Sequence, residues 1–261
     1  TVTASGNNLT GTEAGNYTPH STIVTDTADI AAKILTASLA ADDKVYDGTV
    51  NATGTLSDDR ISGDTLNLSP DSLTFGNANA ASGKTVTASG LNLIGADASN
   101  YILANTTVTD TADISQAVVT LSSFDAQDKT YDGNDTAGLT GAVDGLGVFG
   151  SDTVNFDATA TGTFDNGGDA GTGINVSFVD GDLLSGADAG NYTVSPSAVA
   201  ADIAAKTLTA TLAADDKIYD GTVDATGTLS DDRIGGDPLS LNPDSFTFGD
   251  ANAATGKTVT A

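Results

Sequence analysis

Short runs in which apolar and polar residues alternate recur along the chain, and none of them has a helical period. Leu35, Ala37 and Leu39 alternate with Thr36 and Ser38. A period of two residues predicts half-buried antiparallel strands. Two more runs alternate in the same way, residues 154–160 and 174–178. Four Asp-Gly pairs are strong signals for hairpin turns: Asp47-Gly48, Asp132-Gly133, Asp180-Gly181 and Asp220-Gly221. The pattern therefore predicts an all-β chain.

Three sequence tracks recur in the same order at one period, which indicates tandem repeats. A Lys-x-Tyr-Asp-Gly motif occurs three times, and its tyrosines are 85 and 88 residues apart. An Asn-Tyr pair and an Ala-Asp-Ile triplet follow the same order: Asn16-Tyr17, Asn100-Tyr101 and Asn191-Tyr192, then Ala28–Ile30, Ala112–Ile114 and Ala201–Ile203. These tracks divide the chain into the C-terminal part of a truncated repeat (1–33), a complete first repeat (34–116), a complete and divergent second repeat (117–206) and a third repeat that lacks its C-terminal part (207–261).

Glycine and proline are distributed unevenly with respect to the repeats. The second repeat carries two glycine-rich insertions, Gly138–Gly150 and Asp165–Gly173, which are predicted as loops because loops accept insertions. The repeat junctions near Ile30–Lys33, Ile114–Ala117 and Ile203–Lys206 contain neither residue. We therefore expect strands to run almost continuously across the junctions, so that small antiparallel domains, sandwich-like or β-grasp-like, form an extended rod.

The composition excludes several classes of protein. The 9 basic and 35 acidic residues give a net charge of −26, which argues against nucleic-acid binding. There is no cysteine and only one histidine, His20, so thiolate metal sites and histidine catalysis are not expected. No apolar run reaches the ~18 residues of a membrane span. The sequence predicts neither an enzyme nor an organic cofactor.

The repeated motifs together resemble those of a known protein family. Lys44–Thr49, the Gly63-Asp64 step, Phe75, Gly83–Thr87 and Gly95–Tyr101 together resemble the YDG/MBG-type tandem repeats of large bacterial surface and secreted adhesins, which include exoproteins similar to filamentous haemagglutinin. The second repeat departs from this pattern, with Ser151-Asp152 in place of the Gly-Asp step. The resemblance implies an extracellular or cell-surface location and no catalytic residues.

Calcium is the one metal ligand that the sequence suggests, because clustered carboxylates are ligands for this hard cation. The candidates are Asp42, Asp43 and Asp47 in the first repeat, and Asp215, Asp216 and Asp220 in the third; Asp29 and Asp202 lie near junctions. The competing interpretation is that these residues are solvated turn carboxylates.

The repeated motifs allow structural and chemical interpretations. The Tyr-Asp-Gly tyrosine is predicted to fill the core of its domain while Asp-Gly turns a hairpin. Lys44, Lys129 and Lys217 are predicted to pair with the preceding Asp43, Asp128 and Asp216. The alternative is an isopeptide bond to Asn100 or Asn191. Gly145–Gly150 matches a dinucleotide glycine spacing, but no helix follows, so nucleotide binding is not expected.

Three functions are consistent with these observations. The first is a structural stalk segment of a secreted or surface adhesin or biofilm fibre. The second is a self-assembling fibre subunit, in which residues 1–33 of a neighbouring chain add strands to the incomplete third repeat. The third is a module that binds polysaccharide or a host receptor through Gly138–Gly150, in which Phe149 is the aromatic residue. The partners expected are neighbouring repeats, an extracellular polysaccharide or a host surface.

Overall fold

A computed structural model describes all 261 residues. The chain forms two compact units, Thr1–Gln116 and Ala117–Ala261. Both units consist of β-strands and connecting loops, and the only helical segments are four 3₁₀ turns of three residues each: Ala14–Asn16, Ala98–Asn100, Asp180–Asp182 and Ala189–Asn191. None of them is long or apolar enough to span a membrane. The predicted all-β fold is confirmed.

Unit 1 contains the truncated repeat and the first repeat. Its strands are β1 (Val2–Ser5), β2 (Ile23–Asp26), β3 (Lys33–Leu35), β4 (Ala37–Ala41), β5 (Lys44–Val45), β6 (Gly54–Asp58), β7 (Asn67–Ser69), β8 (Ser72–Phe75), β9 (Ala81–Ser89), β10 (Asn92–Ile94), β11 (Tyr101–Leu103) and β12 (Thr107–Ser115). The central sheet has the order β5-β12-β9-β8, and the other strands form two-stranded sheets β1-β2, β4-β6, β7-β10 and β3-β11.

The core of the first repeat lies between these sheets. Leu68, Ala88 and Leu91 are buried, and partly buried side chains from β4, β6, β8, β10, β11 and β12 pack against them. A second cluster consists of Leu35, Leu66 and Tyr101. The small sheets thus cover the central sheet, and the alternation seen in the sequence places Leu39 inward and Ser38 outward.

Unit 2 contains the second and third repeats. Its strands are β13 (Ala117–Val119), β14 (Leu121–Ala126), β15 (Lys129–Thr130), β16 (Thr136–Val143), β17 (Asn155–Phe156), β18 (Thr161–Phe164), β19 (Gly171–Ser177), β20 (Leu184–Ser185), β21 (Tyr192–Val194), β22 (Val199–Ala204), β23 (Ala210–Ala214), β24 (Gly227–Asp231), β25 (Thr247–Phe248) and β26 (Val259–Thr260). A six-stranded sheet has the order β14-β16-β18-β19-β22-β15, and the remaining strands pair as β13-β21, β17-β20, β23-β24 and β25-β26.

The strand pairing differs from the sequence prediction in two respects: some pairs are parallel, and the Asp-Gly pairs do not form hairpin turns. β3 and β5 pair in parallel with β11 and β12, and β13 and β15 pair in parallel with β21 and β22. The Asp-Gly pairs therefore do not close hairpins: β5, before Asp47-Gly48, pairs with β12, whereas the next strand, β6, pairs with β4. Asp180-Gly181 likewise lies in a 3₁₀ turn. The purely antiparallel arrangement was wrong because alternation does not distinguish parallel from antiparallel neighbours.

Two segments of the second repeat also differ from the prediction. The alternating run 154–160 forms only the short strand β17, because a turn follows in which the amide of Ala160 donates to the carbonyl of Asp157 at 2.9 Å. The first half of Gly138–Gly150 is strand rather than loop, since β16 extends to Val143 and pairs with both β14 and β18. The run 174–178 forms β19 up to Ser177, as expected.

The strands on either side of the repeat junctions are separated by segments of different length. β12 ends at Ser115 and β13 begins at Ala117, whereas β22 ends at Ala204 and the next strand begins at Ala210. Residues 206–208 correspond to β3 and β13, which pair with the Asn-Tyr strands of their own repeats. The third repeat contains no Asn-Tyr strand within this chain, so this segment forms no pair.

Candidate functional site

Each Lys-x-Tyr-Asp-Gly motif forms a loop around its lysine ammonium group. In the first repeat, Lys44 Nζ donates to Asp47 Oδ1 at 2.7 Å and to the carbonyls of Thr49 and Asn51 at 2.9 Å each. The same ammonium lies 5.7 Å from the centre of the Phe75 ring. Because the lysine binds both sides of the loop and an aromatic face, it fixes the path of the chain between β5 and β6.

The other two repeats contain the same arrangement. Lys129 binds Asp132 at 2.7 Å and lies 5.7 Å from the ring centre of Phe164, and Lys217 binds Asp220 at 2.9 Å and lies 5.6 Å from that of Phe248. We name this arrangement the lysine clamp. The prediction that each lysine pairs with the preceding aspartate was wrong, because the Asp-Gly turn brings the following aspartate back to the ammonium group.

The clamp changes the acidity of its aspartate. The hydrogen bond from Lys217, with two bonds from Thr222, lowers the pKa of Asp220 from its usual 3.8 to about 2. The hydrogen bond from Lys129 lowers the pKa of Asp132 in the same way. A lowered pKa means that the folded repeat binds the carboxylate more strongly than the carboxylic acid. The clamp therefore contributes stability that is present above pH 3.8 and is lost as the pH falls towards 2.

The Asn-Tyr tyrosines of the first and second repeats, Tyr101 and Tyr192, are buried. The Tyr101 hydroxyl donates to Asp64 Oδ2 at 2.5 Å and accepts from the amide of Ile61 at 2.9 Å. Tyr192 makes the equivalent bonds to Asp152 at 2.6 Å and from the amide of Phe149 at 2.9 Å. Burial, together with the bond to Asp152, raises the pKa of Tyr192 to about 12.

The Tyr-Asp-Gly tyrosines have three different environments. Tyr46 is buried, Tyr131 is half-buried, and Tyr219 is 64% exposed. The prediction that this tyrosine fills the core of its own domain is therefore wrong for the third repeat. The glycines that follow have φ angles of +75°, +79° and +80°, so the turn occupies the left-handed region in all three copies: Gly48, Gly133 and Gly221.

The sequence did not lead us to expect a repeated ion pair between an arginine and an aspartate. Arg60 donates two parallel hydrogen bonds to Asp58, from Nε at 2.8 Å and Nη2 at 2.6 Å, and a third to the carbonyl of Leu66. Arg233 repeats this arrangement with Asp231 and the carbonyl of Leu239. The recurrence of Ser-Asp-Asp-Arg-Ile at 57–61 and 230–234 was the signal that could have revealed it.

Four of the six aspartates predicted as calcium ligands bind other groups of the protein. Asp43 accepts from the amide of Asp113 at 2.7 Å, and Asp215 accepts from the hydroxyl of Thr226 at 2.9 Å. Asp47 and Asp220 belong to lysine clamps, and no three acidic or histidine side chains form a group that could hold a metal ion. Calcium binding at Asp42, Asp43, Asp47, Asp215, Asp216 and Asp220 stays a prediction, which thermal unfolding with and without calcium would test.

Three further candidate sites were the isopeptide lysines, the aromatic residue of the predicted binding loop and the glycine-rich segment 145–150. The clamp lysines bind groups within their own loops, so none of these contacts joins them to Asn100 or Asn191 as an isopeptide bond requires. Phe149, the aromatic residue of the predicted binding loop, stacks on Tyr192 with ring centres 6.5 Å apart. The glycine-rich segment 145–150 follows β16 and is not followed by a helix. Polysaccharide or receptor binding stays a prediction.

Repeated small β-domains with the same lysine clamp define the chain as a tandem-repeat protein. The model of the YDG domain family matches residues 31–109, 115–200 and 204–261. The chain belongs to the YDG domain family, as its motifs indicated. No curated protein and no solved structure matches it.

Proposed function

We propose that this chain is a structural stalk segment of a secreted or cell-surface bacterial adhesin or biofilm fibre. The observation that carries the proposal is the use of the most regularly repeated polar groups: in all three copies, the motif lysine and aspartate bind one another and their own loop. Side chains that are repeated to hold each domain in shape suit a scaffold. The charge of −26 adds repulsion between neighbouring repeats, which favours an extended and soluble array.

Small-angle X-ray scattering of the 261-residue chain tests this proposal. We expect the pair-distance distribution of an elongated particle, with a cross-section of one domain and a long tail, at physiological salt. Raising the salt concentration shortens the Debye length from ~8 Å to ~3 Å and serves as a control for charge repulsion. A symmetrical distribution typical of a single globule, at both salt concentrations, would contradict the stalk.

A second function, a self-assembling fibre subunit, is favoured by a cavity where the third repeat meets Tyr131 and Ala170 of the second. The cavity has a volume of about 260 Å³, and Leu208, Leu239, Ile234 and Asp237 contribute to its lining. These residues correspond to Leu35, Leu66, Ile61 and Asp64, which surround Tyr101 in the first repeat. Leu35 is 0% exposed, whereas Leu208 is 37% exposed.

The tyrosine that fills this position in the first repeat, Tyr101, has a counterpart in the truncated repeat. Tyr17, at the position of Tyr101, is 72% exposed and follows the same 3₁₀ turn. In this alternative, Asn16-Tyr17 of a second copy enters the cavity and pairs as a strand with residues 206–208. Head-to-tail addition of this kind would produce an open polymer.

Sedimentation velocity over a range of concentrations tests the fibre alternative. We expect concentration-dependent oligomers of the 261-residue chain, and we expect Tyr17→Ala to return the sedimentation coefficient to that of the monomer. His20→Ala is the matched control, since it lies in the same exposed segment but outside the Asn-Tyr track. A monomer at every concentration, or equal effects of the two substitutions, would rule out strand addition.

A further inference from the structure

The second and third repeats contact one another through the Tyr-Asp-Gly motif of the second. The Tyr131 hydroxyl donates a hydrogen bond of 3.0 Å to Asp237 Oδ1, although the two residues are 106 positions apart in the chain. Gly133 faces Ile234 so closely that a Cβ atom at this glycine would lie 2.7 Å from Ile234 Cγ2. The tyrosine and the glycine of one repeat therefore contact a single loop of the next, Ile234–Asp237.

The loop that receives these contacts is itself a repeated element. Its aspartate corresponds to Asp64 and Asp152, whose Oδ2 atoms accept from the Asn-Tyr tyrosines of their own repeats. Tyr131 binds Oδ1 of Asp237. Equivalent carboxylates therefore use Oδ2 for the tyrosine of their own repeat and Oδ1 for the tyrosine of the preceding repeat.

The third repeat provides an internal comparison. Gly221 has the same left-handed backbone as Gly133, with φ of +80° against +79°, but no atom lies within 4 Å of the position where its Cβ would be. Tyr219 is largely exposed, and the neighbouring Ile218 is exposed as well. The lysine clamp of Lys217 and Asp220 is nevertheless fully formed. The lysine clamp therefore forms in a copy whose tyrosine and glycine face open space.

We propose that the motif has two separate tasks. Its lysine and aspartate hold the loop in shape, whereas its tyrosine and glycine form a connector that binds the Ile-x-Gly-Asp loop of the next repeat. By the same geometry, Ile218–Gly221 is a docking surface for another YDG repeat. This inference rests on the proposed stalk function, because a connector matters where repeats must hold a fixed relative position.

Pulsed electron paramagnetic resonance on the full chain tests the connector. The chain contains no cysteine, so Thr163→Cys and Thr228→Cys, both exposed on β18 and β24, place one spin label in each repeat. Into this labelled chain we would introduce Tyr131→Phe or Gly133→Ala. The matched controls are Tyr219→Phe and Gly221→Ala, which make the same changes in the motif of the third repeat, where the tyrosine is exposed and the glycine faces open space.

We expect a narrow distance distribution for the parent and both controls. Tyr131→Phe should lower the ratio of docked to undocked repeats about tenfold, the effect of losing one hydrogen bond to a charged group, and so broaden the distribution. Gly133→Ala should broaden it further, and a second substitution, Ile234→Ala, should narrow it again in part, because it removes the clash with the methyl group but leaves the strain of the left-handed backbone. Unchanged distributions in both variants, or equal broadening in the controls, would overturn the connector.

The outcome can be separated from that of the stalk proposal. If the distributions do not change while scattering gives an elongated particle, only the connector is wrong. If the two variants broaden the distribution while the parent chain scatters as a single globule, the connector is right and the stalk is wrong. Circular dichroism of each variant shows whether the strands are intact, and Phe in place of Tyr131 retains the ring.

Discussion

Replacement of Lys129 by methionine is expected to destabilise the second repeat by about 2–3 kcal/mol, the range for hydrogen bonds to a charged group together with the carbonyls left without a donor. Lys129 Nζ donates to the carbonyls of Asn134 and Thr136 and to the side chains of Asn134 and Asp132. Its side chain is largely buried, and its ammonium faces the ring of Phe164, a fully buried core residue. Methionine retains the length of the side chain but removes the donor.

Hydrogen exchange of the full chain, read by mass spectrometry, measures this effect repeat by repeat. We expect faster exchange in peptides from β15, β16 and β18 and unchanged exchange in the first repeat. Lys33→Met is the control, because the Lys33 side chain is more exposed than that of Lys129, at 39% against 17%, and its ammonium binds the carboxylate and carbonyl of Asp59; exposed ion pairs contribute about 0–1 kcal/mol. Equal effects of the two substitutions would show that the clamp is an ordinary surface ion pair.

The clamp illustrates what could be predicted from the sequence. The recurrence of lysine, aspartate and glycine at one spacing indicated a structural unit, and the alternation around Leu35 and Leu39 indicated strands that bury these leucines. Phe75, Phe164 and Phe248 recur at matching positions, but nothing local connects them to the lysines. Their contact depends on the fold, since β8, which contains Phe75, lies in a different part of the sheet from β5.

The parallel pairs could not be predicted for a related reason. Tyr101 pairs with Lys33 and Ile114 with Lys44, so each pair joins residues about 70 positions apart in the chain. Hydrophobic alternation specifies which face of a strand is buried and leaves its neighbours open. The same limit explains why the roles of the two tyrosine tracks could not be told apart. Both tracks contain a repeated tyrosine next to a polar residue, and only the fold places Tyr101 in the core and Tyr131 against the next repeat.

A second large effect is expected from replacing Gly186 with alanine. Gly186 begins the Gly-Ala-Asp segment before Tyr192 and has a φ of +115°. A Cβ atom there would lie 2.3 Å from the carbonyl oxygen of Thr153, the same oxygen that accepts from the amide of Asp188 at 3.3 Å. Because both positions are backbone, no side chain can rotate away, and the loop that orients Tyr192 must move.

We expect Gly186→Ala to cost about 3–4 kcal/mol, from a strained backbone conformation and an overpacked contact. Gly11→Ala is the matched control, since Gly11 occupies the same place in the truncated repeat and has a φ of +116°, but no atom lies within 4 Å of its Cβ position. It should show the backbone strain alone, about 1–3 kcal/mol. Urea unfolding followed by circular dichroism, with hydrogen exchange of residues 183–194 and 10–18, measures both.

A large difference between these two glycines would mean that the loop before Asn191-Tyr192 is held against Thr153, next to the Ser151-Asp152 step of the second repeat. Thr153 and Asp188 already exchange two bonds there, since the Thr153 amide also donates to Asp188 Oδ2 at 2.9 Å. The aspartate that receives Tyr192, Asp152, is the neighbour of Thr153. Displacing Thr153 should therefore weaken the tyrosine bond as well, lowering the pKa of Tyr192 from about 12 towards its usual 10. Ultraviolet titration of tyrosinate would detect this change, and an unaltered titration in Gly186→Ala would show that the two contacts are independent.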